Sequence, residues 1–233
     1  MITSPHNDKL KLVRRLHRRR SREREGLFLA EGEDLLISAR EAGADPEELL
    51  TAAGEELGGT EVEPALLDRL AVLESGTRAI GVWRQRWADQ ATAPCIYLHA
   101  ISDPGNVGTI VRTASALVSG SVVLGPGCAD PYGPRAVRAS MGSIFSQPLL
   151  RAGLEATPRP RVALVAHGGE SPERLEGAAT ICLGAERGGL PAEVLDACDA
   201  TVTIPLRPGA ESLNVAAAAA IALQGIASAR DDG

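Results

Sequence analysis

Beyond residue 94 the chain alternates between short apolar runs, which suit buried strands, and stretches with helical periodicity. The apolar runs lie at 95–101, 121–124, 161–166, 180–183 and 202–205, and the helical stretches at 107–117, 135–141 and 213–229. Strands that alternate with helices form a mostly parallel sheet that is covered on both faces. From the residues alone, this part of the chain is therefore predicted to be a doubly wound, Rossmann-like α/β domain.

The first 84 residues predict a smaller α/β domain. Leu10, Val13 and Leu16 recur every three residues, which indicates an amphipathic helix over 9–20. Further helices are expected at 31–42 and 64–73, and strands at 27–30 and 79–83. The polar segment 85–94 is interpreted as a linker. The predicted organisation is thus a small domain at 1–84, a linker at 85–94 and a larger domain at 95–233.

Charge is distributed very unevenly along the chain. Residues 1–24 hold nine Lys or Arg against Asp8 and Glu23, a net +7, so a chain of net charge −6 leaves −13 for the remainder. A basic end on an acidic body favours a polyanionic partner bound at one place. The candidate contacts are Lys9, Lys11, Arg14, Arg15, Arg18 and Arg19. A solvated helix or a disordered tail would explain the charge equally well.

Composition excludes several other classes of protein. No run approaches the roughly 20 apolar residues of a membrane span, and the first residues lack the apolar core of a signal peptide. The four cysteines are far apart, without CxxC pairs, which argues against zinc or a disulfide framework and fits a reducing cytoplasm. Only 3% of the residues are aromatic, too few for a surface that stacks single-stranded bases.

Three polar loops follow predicted strands, where parallel sheets place their ligand sites. They read DPGNVGTIVRTA at 103–114, LGAERGGLP at 183–191 and IPLRPGAESLNV at 204–215. Taken singly, each has an ordinary interpretation as a turn, a glycine-rich loop or a helix cap. Asn106 and Arg112 lie six residues apart across a helix start, so both are expected to face the strand ends. GPG at 125–127 lacks the third glycine of a dinucleotide-binding motif and is rejected as one.

Together and in this order, the three loops closely resemble the motifs of the SpoU (TrmH-type) branch of the SPOUT RNA methyltransferases. DPYGPRAVRASMGSIFSQP at 130–148 resembles the segment between them, and the N-terminal ITSPHNDKLKLVRRL and GLFLAEGEDLL resemble a substrate-binding domain similar to ribosomal protein L30e. The resemblance implies an α/β fold with a mostly parallel sheet whose C-terminal part forms a trefoil knot, a rare exception to the usual connection rules. It also implies homodimers in which each site borrows groups from the partner protomer.

The implied reaction transfers the methyl group of S-adenosylmethionine to a ribose 2′-hydroxyl of RNA. The resemblance assigns cofactor contacts, largely through the backbone, to Gly184, Ile204 and Leu213. It gives the central catalytic role to Arg112, supported by Asn106, Glu186, Ser212 and Asn214. The resemblance implies that Arg112 is the general base, but a guanidinium is a poor base, because its free pKa exceeds about 12. The alternative, which we favour, is that Arg112 stabilises the developing alkoxide and clamps the adjacent phosphate. In this alternative Ser212, oriented by Glu186 or Asn214, relays the proton.

Other interpretations stay open at this point. The substrate is expected to be ribosomal RNA, with transfer RNA as the alternative within the same family. A non-catalytic RNA-binding assembly factor and a methyltransferase acting on a base or a protein are the competitors from other classes. His99 and His167 end strands near the loops but are interpreted as structural, and no metal site is expected. The Ala-rich last helix is compatible both with dimer packing and with an ordinary core.

Overall fold

The structure, a computed structural model, describes residues 1–72 and 76–231, with side chains of the last helix up to residue 227. The chain forms two compact units. Unit 1 comprises Met1–Gln85 together with Asp130–Ser146, and unit 2 comprises Arg86–Ala129 together with Gln147–Gly233. The first boundary falls at the start of the predicted linker, whereas the return of 130–146 to unit 1 has no counterpart in the sequence-based division.

Unit 1 is built on a four-stranded mixed sheet with helices around it. Its helices are α1 (Asp8–Leu16), α2 (Arg19–Glu25), α3 (Glu33–Glu41), α4 (Pro64–Asp68) and α6 (Pro134–Ala139), and its strands are β1 (Leu27–Glu31), β2 (Glu48–Ala52), β3 (Thr60–Val62) and β4 (Ala79–Arg84). The strand order is β1-β4-β2-β3, antiparallel at the first two pairings and parallel between β2 and β3. β2 and β3 fall in a region where no strand is predicted. Leu73, the end of the helix predicted at 64–73, lies outside the described residues.

The basic N-terminal stretch is folded into unit 1. The Asn7 side chain caps α1 by accepting a hydrogen bond from the Lys9 amide, and Leu10, Val13 and Leu16 are fully buried in the core. The predicted continuous helix over 9–20 is wrong in one respect, because the extended backbone of Arg18 separates α1 from α2. A disordered tail is therefore excluded.

The segment 130–146 completes the core of unit 1. Arg22 is only 4% exposed and forms an ion pair with Asp130 at 2.7 Å. Its guanidinium also donates to the carbonyls of Leu16 and His17 at the end of α1. Four aromatic rings from both stretches pack together, namely Phe28, Trp83, Tyr132 and Phe145. Unit 1 thus depends on residues that are more than 100 positions apart in sequence.

Unit 2 is built on a six-stranded sheet in which every pairing is parallel. Its strands are β5 (Cys95–Leu98), β6 (Val122–Leu124), β7 (Leu149–Arg151), β8 (Arg161–Leu164), β9 (Thr180–Leu183) and β10 (Ala200–Val202), and its helices are α5 (Pro104–Leu117), α7 (Ala192–Asp196) and α8 (Val215–Asp231). α8 packs against α5. None of the described helices combines the length and apolar character that a membrane crossing requires.

The strand order of unit 2 is β10-β8-β9-β5-β6-β7. A Rossmann sheet would place β8 beside β5 and β9 outside it. Here β9 is instead inserted between β5 and β8, so the Rossmann-like topology expected from the residues alone is wrong at this point. The insertion brings the loops that follow β8, β9 and β10 to one edge of the sheet, at the carboxyl ends of the strands.

Candidate active site

A cavity of about 410 Å³ lies at this edge of unit 2. It is lined by residues that follow β8, by the loop after β9 and by the segment that leads from β10 to α8. Gly184, Ile204 and Leu213, the three predicted cofactor contacts, all line it, as do Glu186 and Ser212. The volume falls within the usual range for small-molecule sites. Arg187 and Glu211 also line it and were not selected from the sequence, although both lie within the quoted motifs.

The loop after β9 is closed by its own backbone. Ala185 and Gly189 exchange two hydrogen bonds, with N···O distances of 3.1 and 2.9 Å. A Cβ atom at position 184 would lie only 2.1 Å from the backbone of Gly189, so only glycine fits there. A larger residue at 184 would distort the loop before touching a ligand. Lost cofactor binding in a Gly184→Val variant would therefore report on the loop itself.

Three predicted site residues form a hydrogen-bonded chain. The Asn214 Oδ1 caps α8 by accepting from the amides of Ala216 and Ala217, which leaves its Nδ2 to donate to the Asn106 Oδ1 at 3.0 Å. The Asn106 Nδ2 then donates to the Glu186 Oε1 at 2.9 Å. The helix cap thus fixes the orientation of both amides. Asn106 itself lies in the first turn of α5, which Asp103 caps.

Arg112 and Ser212 do not join this chain. Arg112 is exposed on α5 and makes no hydrogen bond or ion pair with the described residues. Six helical positions separate it from Asn106 by about 120° around the axis and roughly 9 Å along it. Ser212 is exposed and lines the cavity, but no described side chain orients it. Glu186 and Asn214, the partners expected for Ser212, are bound to Asn106 instead.

The two candidate histidines lie apart from the chain of Glu186, Asn106 and Asn214. The His99 Nδ1 is 3.3 Å from the Tyr97 hydroxyl, beside a second cavity of about 300 Å³. Burial raises the pKa of Tyr97 to about 12, which keeps its hydroxyl protonated. His167 is exposed. Within the described residues no group of three or more potential metal ligands occurs.

The six candidate RNA contacts in unit 1 differ in their surroundings. Four of them already interact with groups of the protein: Lys9 with Glu48 and Thr60, Lys11 with Asp8, Arg14 with the Pro5 carbonyl and Arg19 with Glu23. Arg15 and Arg18 are exposed and their side chains form no hydrogen bond or close ion pair with the described residues, and the same holds for Arg20, which was not selected from the sequence. Among the basic residues at 9–20, these three arginines are therefore the ones most available to contact RNA phosphates.

Comparison with known proteins defines the class of the molecule. Residues 93–224 match the SpoU rRNA methylase family, and residues 7–83 match an MRM3-like substrate-binding domain. Unit 2, with its parallel sheet and its cavity at the strand ends, therefore has the fold of an RNA methyltransferase. The chain belongs to the SpoU rRNA methylase family.

Individual relatives agree with this assignment along nearly the whole chain. The chain is 32% identical to the 23S rRNA (guanosine(2553)-2′-O)-methyltransferase RlmP of Bacillus subtilis (strain 168), over 94% of this chain and 96% of that protein. The crystal structure of an AdoMet-bound rRNA methyltransferase from Sinorhizobium meliloti is 29% identical, with a TM-score of 0.85 over 99% of this chain and 97% of that one. The AdoMet complex of the SpoU methyltransferase AviRb from Streptomyces viridochromogenes is 26% identical, with a TM-score of 0.83 over 98% and 100% of the two chains.

Proposed function

We propose that this protein transfers the methyl group of S-adenosylmethionine to a ribose 2′-hydroxyl of ribosomal RNA. The observation that carries the proposal is the chain from Glu186 through Asn106 to Asn214, which lies beside the cavity lined by Gly184, Ile204 and Leu213. A carboxylate and two oriented amides next to a nucleoside-sized cavity can position a hydroxyl for methyl transfer. The names of the relatives support ribosomal RNA as the substrate.

The lining of the cavity suits S-adenosylmethionine. Ile204, Leu206 and Val215 provide apolar surface for an adenine ring, and the loop at 184–189 presents backbone groups to polar parts of the ligand. When bound, the cofactor supplies an electrophilic methyl group on a positively charged sulfur. The protein has to hold the RNA hydroxyl in line with that methyl group and accept or share its proton.

Glu186 is the one carboxylate in the hydrogen-bonded chain, and Asn106 holds one of its oxygens. The other carboxylate oxygen has no described hydrogen bond and can accept one from an RNA hydroxyl. We assign to Glu186 and Asn106 the positioning of the ribose, and to Arg112 the stabilisation of the developing alkoxide. Because Arg112 stands apart from the Glu186 chain, we further propose a cytoplasmic homodimer in which Arg112 serves the site of the partner protomer.

Methyl incorporation tests the proposed reaction directly. Purified protein is incubated with S-adenosylmethionine labelled in the methyl group and with unmodified ribosomal RNA transcripts, and the RNA is digested to nucleosides. We expect one 2′-O-methylated nucleoside, and a Glu186→Gln variant that binds S-adenosylhomocysteine but transfers slowly. Label confined to transfer RNA would support the alternative substrate. A methylated base or protein, or no incorporation into any RNA, would contradict the proposal and favour the other classes.

A further inference from the structure

Unit 2 contains a pair of cysteines that the proposed methyl transfer does not use. Cys182 is fully buried on β9, and Cys198 lies just after α7, where it is partly exposed. Their Sγ atoms are 3.8 Å apart, although the residues are 16 positions apart in sequence. A disulfide needs an S–S distance of about 2.05 Å. A displacement of about 2 Å between these segments would therefore permit a bond.

The surroundings of the two thiols differentiate them chemically. The hydrogen bond with the Cys182 thiol, together with the nearby guanidinium groups of Arg161 and Arg159, lowers the pKa of Cys198, although burial and Asp199 oppose this shift. The hydrogen bond with Cys198 and burial raise the pKa of Cys182. Arg161 is itself 8% exposed, and its Nε has no hydrogen-bond partner among the described residues. Cys198 is thus the more accessible sulfur and the one whose pKa is lowered, and Cys182 is its buried neighbour.

We propose that Cys198 and Cys182 form a reversible disulfide when the protein is exposed to hydrogen peroxide, and that this bond weakens cofactor binding. The Cys198 thiolate attacks a peroxide oxygen, the O–O bond breaks, and the departing hydroxide takes up a proton, leaving a sulfenic acid. The Cys182 sulfur, losing its proton, then displaces water from the Cys198 sulfur to form the S–S bond. The two thiols are oxidised and the peroxide is reduced to two molecules of water.

The effect on the cofactor follows from where the new ring closes. The ring from Cys182 to Cys198 contains the whole loop at 184–189 that lines the proposed cofactor site. That loop is already closed by the Ala185–Gly189 hydrogen bonds, and Gly184 leaves no free space against Gly189. Because the loop at 184–189 has no free space in which to adjust, drawing Cys182 and Cys198 together displaces it. This part of the inference rests on the proposed cofactor site.

Peptide mapping of the intact protein tests the disulfide. Protein treated with hydrogen peroxide is blocked with N-ethylmaleimide and digested with trypsin without reduction. Cleavage after Arg174 and Arg187 separates the two cysteines into the fragments 175–187 and 188–230. We expect the two fragments to be linked and to be released by dithiothreitol. Cys198→Ser abolishes the link, whereas Cys182→Ser leaves a sulfenic acid at Cys198 that dimedone traps.

Cys128→Ser is the matched control, because Cys128 is a buried thiol that donates to the Leu98 carbonyl, and its loss should leave the link intact. The inference is overturned if both fragments remain separate and maleimide-labelled, or if Cys182 links to Cys95 instead.

Calorimetric titration with S-adenosylhomocysteine tests the coupling. We expect the oxidised protein to bind S-adenosylhomocysteine with an affinity reduced at least about fivefold. By linkage, saturating S-adenosylhomocysteine should disfavour disulfide formation by the same factor. Equal affinity in both redox states would overturn the coupling while the disulfide stands. Absence of binding by the reduced protein would instead contradict the proposed cofactor site.

Discussion

At the scale of single residues, the site is organised by what each polar group can reach. Asn106 and Arg112 share α5, but only Asn106 lies in its first turn, next to the cap of α8. Arg112 lies two turns further on and is exposed. The sequence predicted a helix from 107 with Asn106 in the preceding turn, whereas α5 already begins at Pro104 and includes both residues. Of the two, only Asn106 contacts the other predicted site residues. If Arg112 takes part in methyl transfer, it therefore acts through the bound RNA or in the site of a partner protomer.

Two substitutions of Arg112 distinguish its two candidate roles, general base and electrostatic stabiliser of the alkoxide. Arg112→Ala removes both roles and should lower methyl transfer by roughly 10²–10³ while cofactor affinity is nearly retained. Arg112→Lys keeps the charge but loses the planar fork of the guanidinium. If Arg112 were the base, the lysine variant would regain activity steeply at alkaline pH, because an amine deprotonates more easily. We expect it to stay poor at every pH at which the fold survives. Single-turnover rates against pH, with excess enzyme, distinguish the outcomes.

Asn214 serves both the fold and the site, and two substitutions separate these functions. Asn214→Asp keeps the oxygen that caps α8, but it loses the donor to Asn106 and places a charge in the chain that ends at Glu186. We expect unchanged thermal stability and methyl transfer reduced about tenfold or more. Asn214→Ala should in addition lose about 1 kcal/mol of stability with the cap. Equal activity of the aspartate variant and the parent protein would remove Asn214 from the proposed machinery.

At the scale of elements, α1 and α2 combine a buried apolar face with exposed arginines that we propose to contact RNA. Deleting residues 9–24 would remove Leu10, Val13 and Leu16 from the core and Arg22 from Asp130, so it would unfold unit 1. Neutralising the exposed Arg15, Arg18 and Arg20 together with Gln tests RNA binding without this damage. We expect weaker binding to ribosomal RNA, a salt slope reduced by roughly 2–3, and unchanged affinity for S-adenosylhomocysteine.

A second variant controls for net charge. Arg40, Arg69 and Arg84 are exposed cations of the same unit that lie outside α1 and α2. Replacing all three with Gln removes the same charge and should leave the salt dependence of RNA binding close to that of the parent protein. If the control lowers the slope as much as the first triple change does, or if the first triple change has no effect, the surface of α1 and α2 is only a solvated face.

The buried pair of Arg22 and Asp130 predicts how the two stretches of unit 1 cooperate. Arg22→Ala leaves the Asp130 carboxylate buried and uncompensated, which should cost roughly 3–5 kcal/mol. Replacing the pair together by Met and Leu should cost far less. Trp83 lies in the aromatic cluster of unit 1, so urea unfolding followed by tryptophan fluorescence in a Trp87→Phe background reports on this unit. Equal losses in the single and double variants would show that the pair is not coupled.

The sequence predicted individual helices and strands better than it predicted which segments pack against one another. The threefold spacing of Leu10, Val13 and Leu16 identified a helix face because burial imposes that period on a helix. The strands β2, β3 and β7 were not predicted because each is short and contains a charged residue, whereas the equally short β5 and β6 are uninterrupted apolar runs. The return of 130–146 to unit 1 depends on contacts such as Phe28 with Tyr132, which no local pattern encodes. Likewise, the motifs supplied Glu186, Asn106 and Asn214, but only the fold shows which of them bond to one another.

At the scale of the whole molecule, a single chain does not bring all of the proposed catalytic groups together. Glu186, Asn106 and Asn214 meet beside the cavity, whereas Arg112 is exposed with no described partner. α8 also leaves Ile221 46% exposed, although its Leu223 is fully buried. An exposed apolar side chain beside a packed one is compatible with a second helix packing there. Both features are explained if two protomers associate and each supplies Arg112 to the other.

Mixing two inactive variants tests this arrangement. After subunit exchange between Arg112→Ala and Asn106→Ala proteins, half of the dimers are mixed, and each mixed dimer has one site with both groups intact if Arg112 acts across the interface. Methyl transfer should therefore return to about a quarter of the parent rate. Asn106→Ala mixed with Asn214→Asp is the control, because both changes damage the same chain of hydrogen bonds and every site stays defective. A monomer by light scattering, or mixed dimers that are captured through two tags yet remain inactive, would contradict a shared site, since a site served by its own Arg112 cannot be restored by exchange.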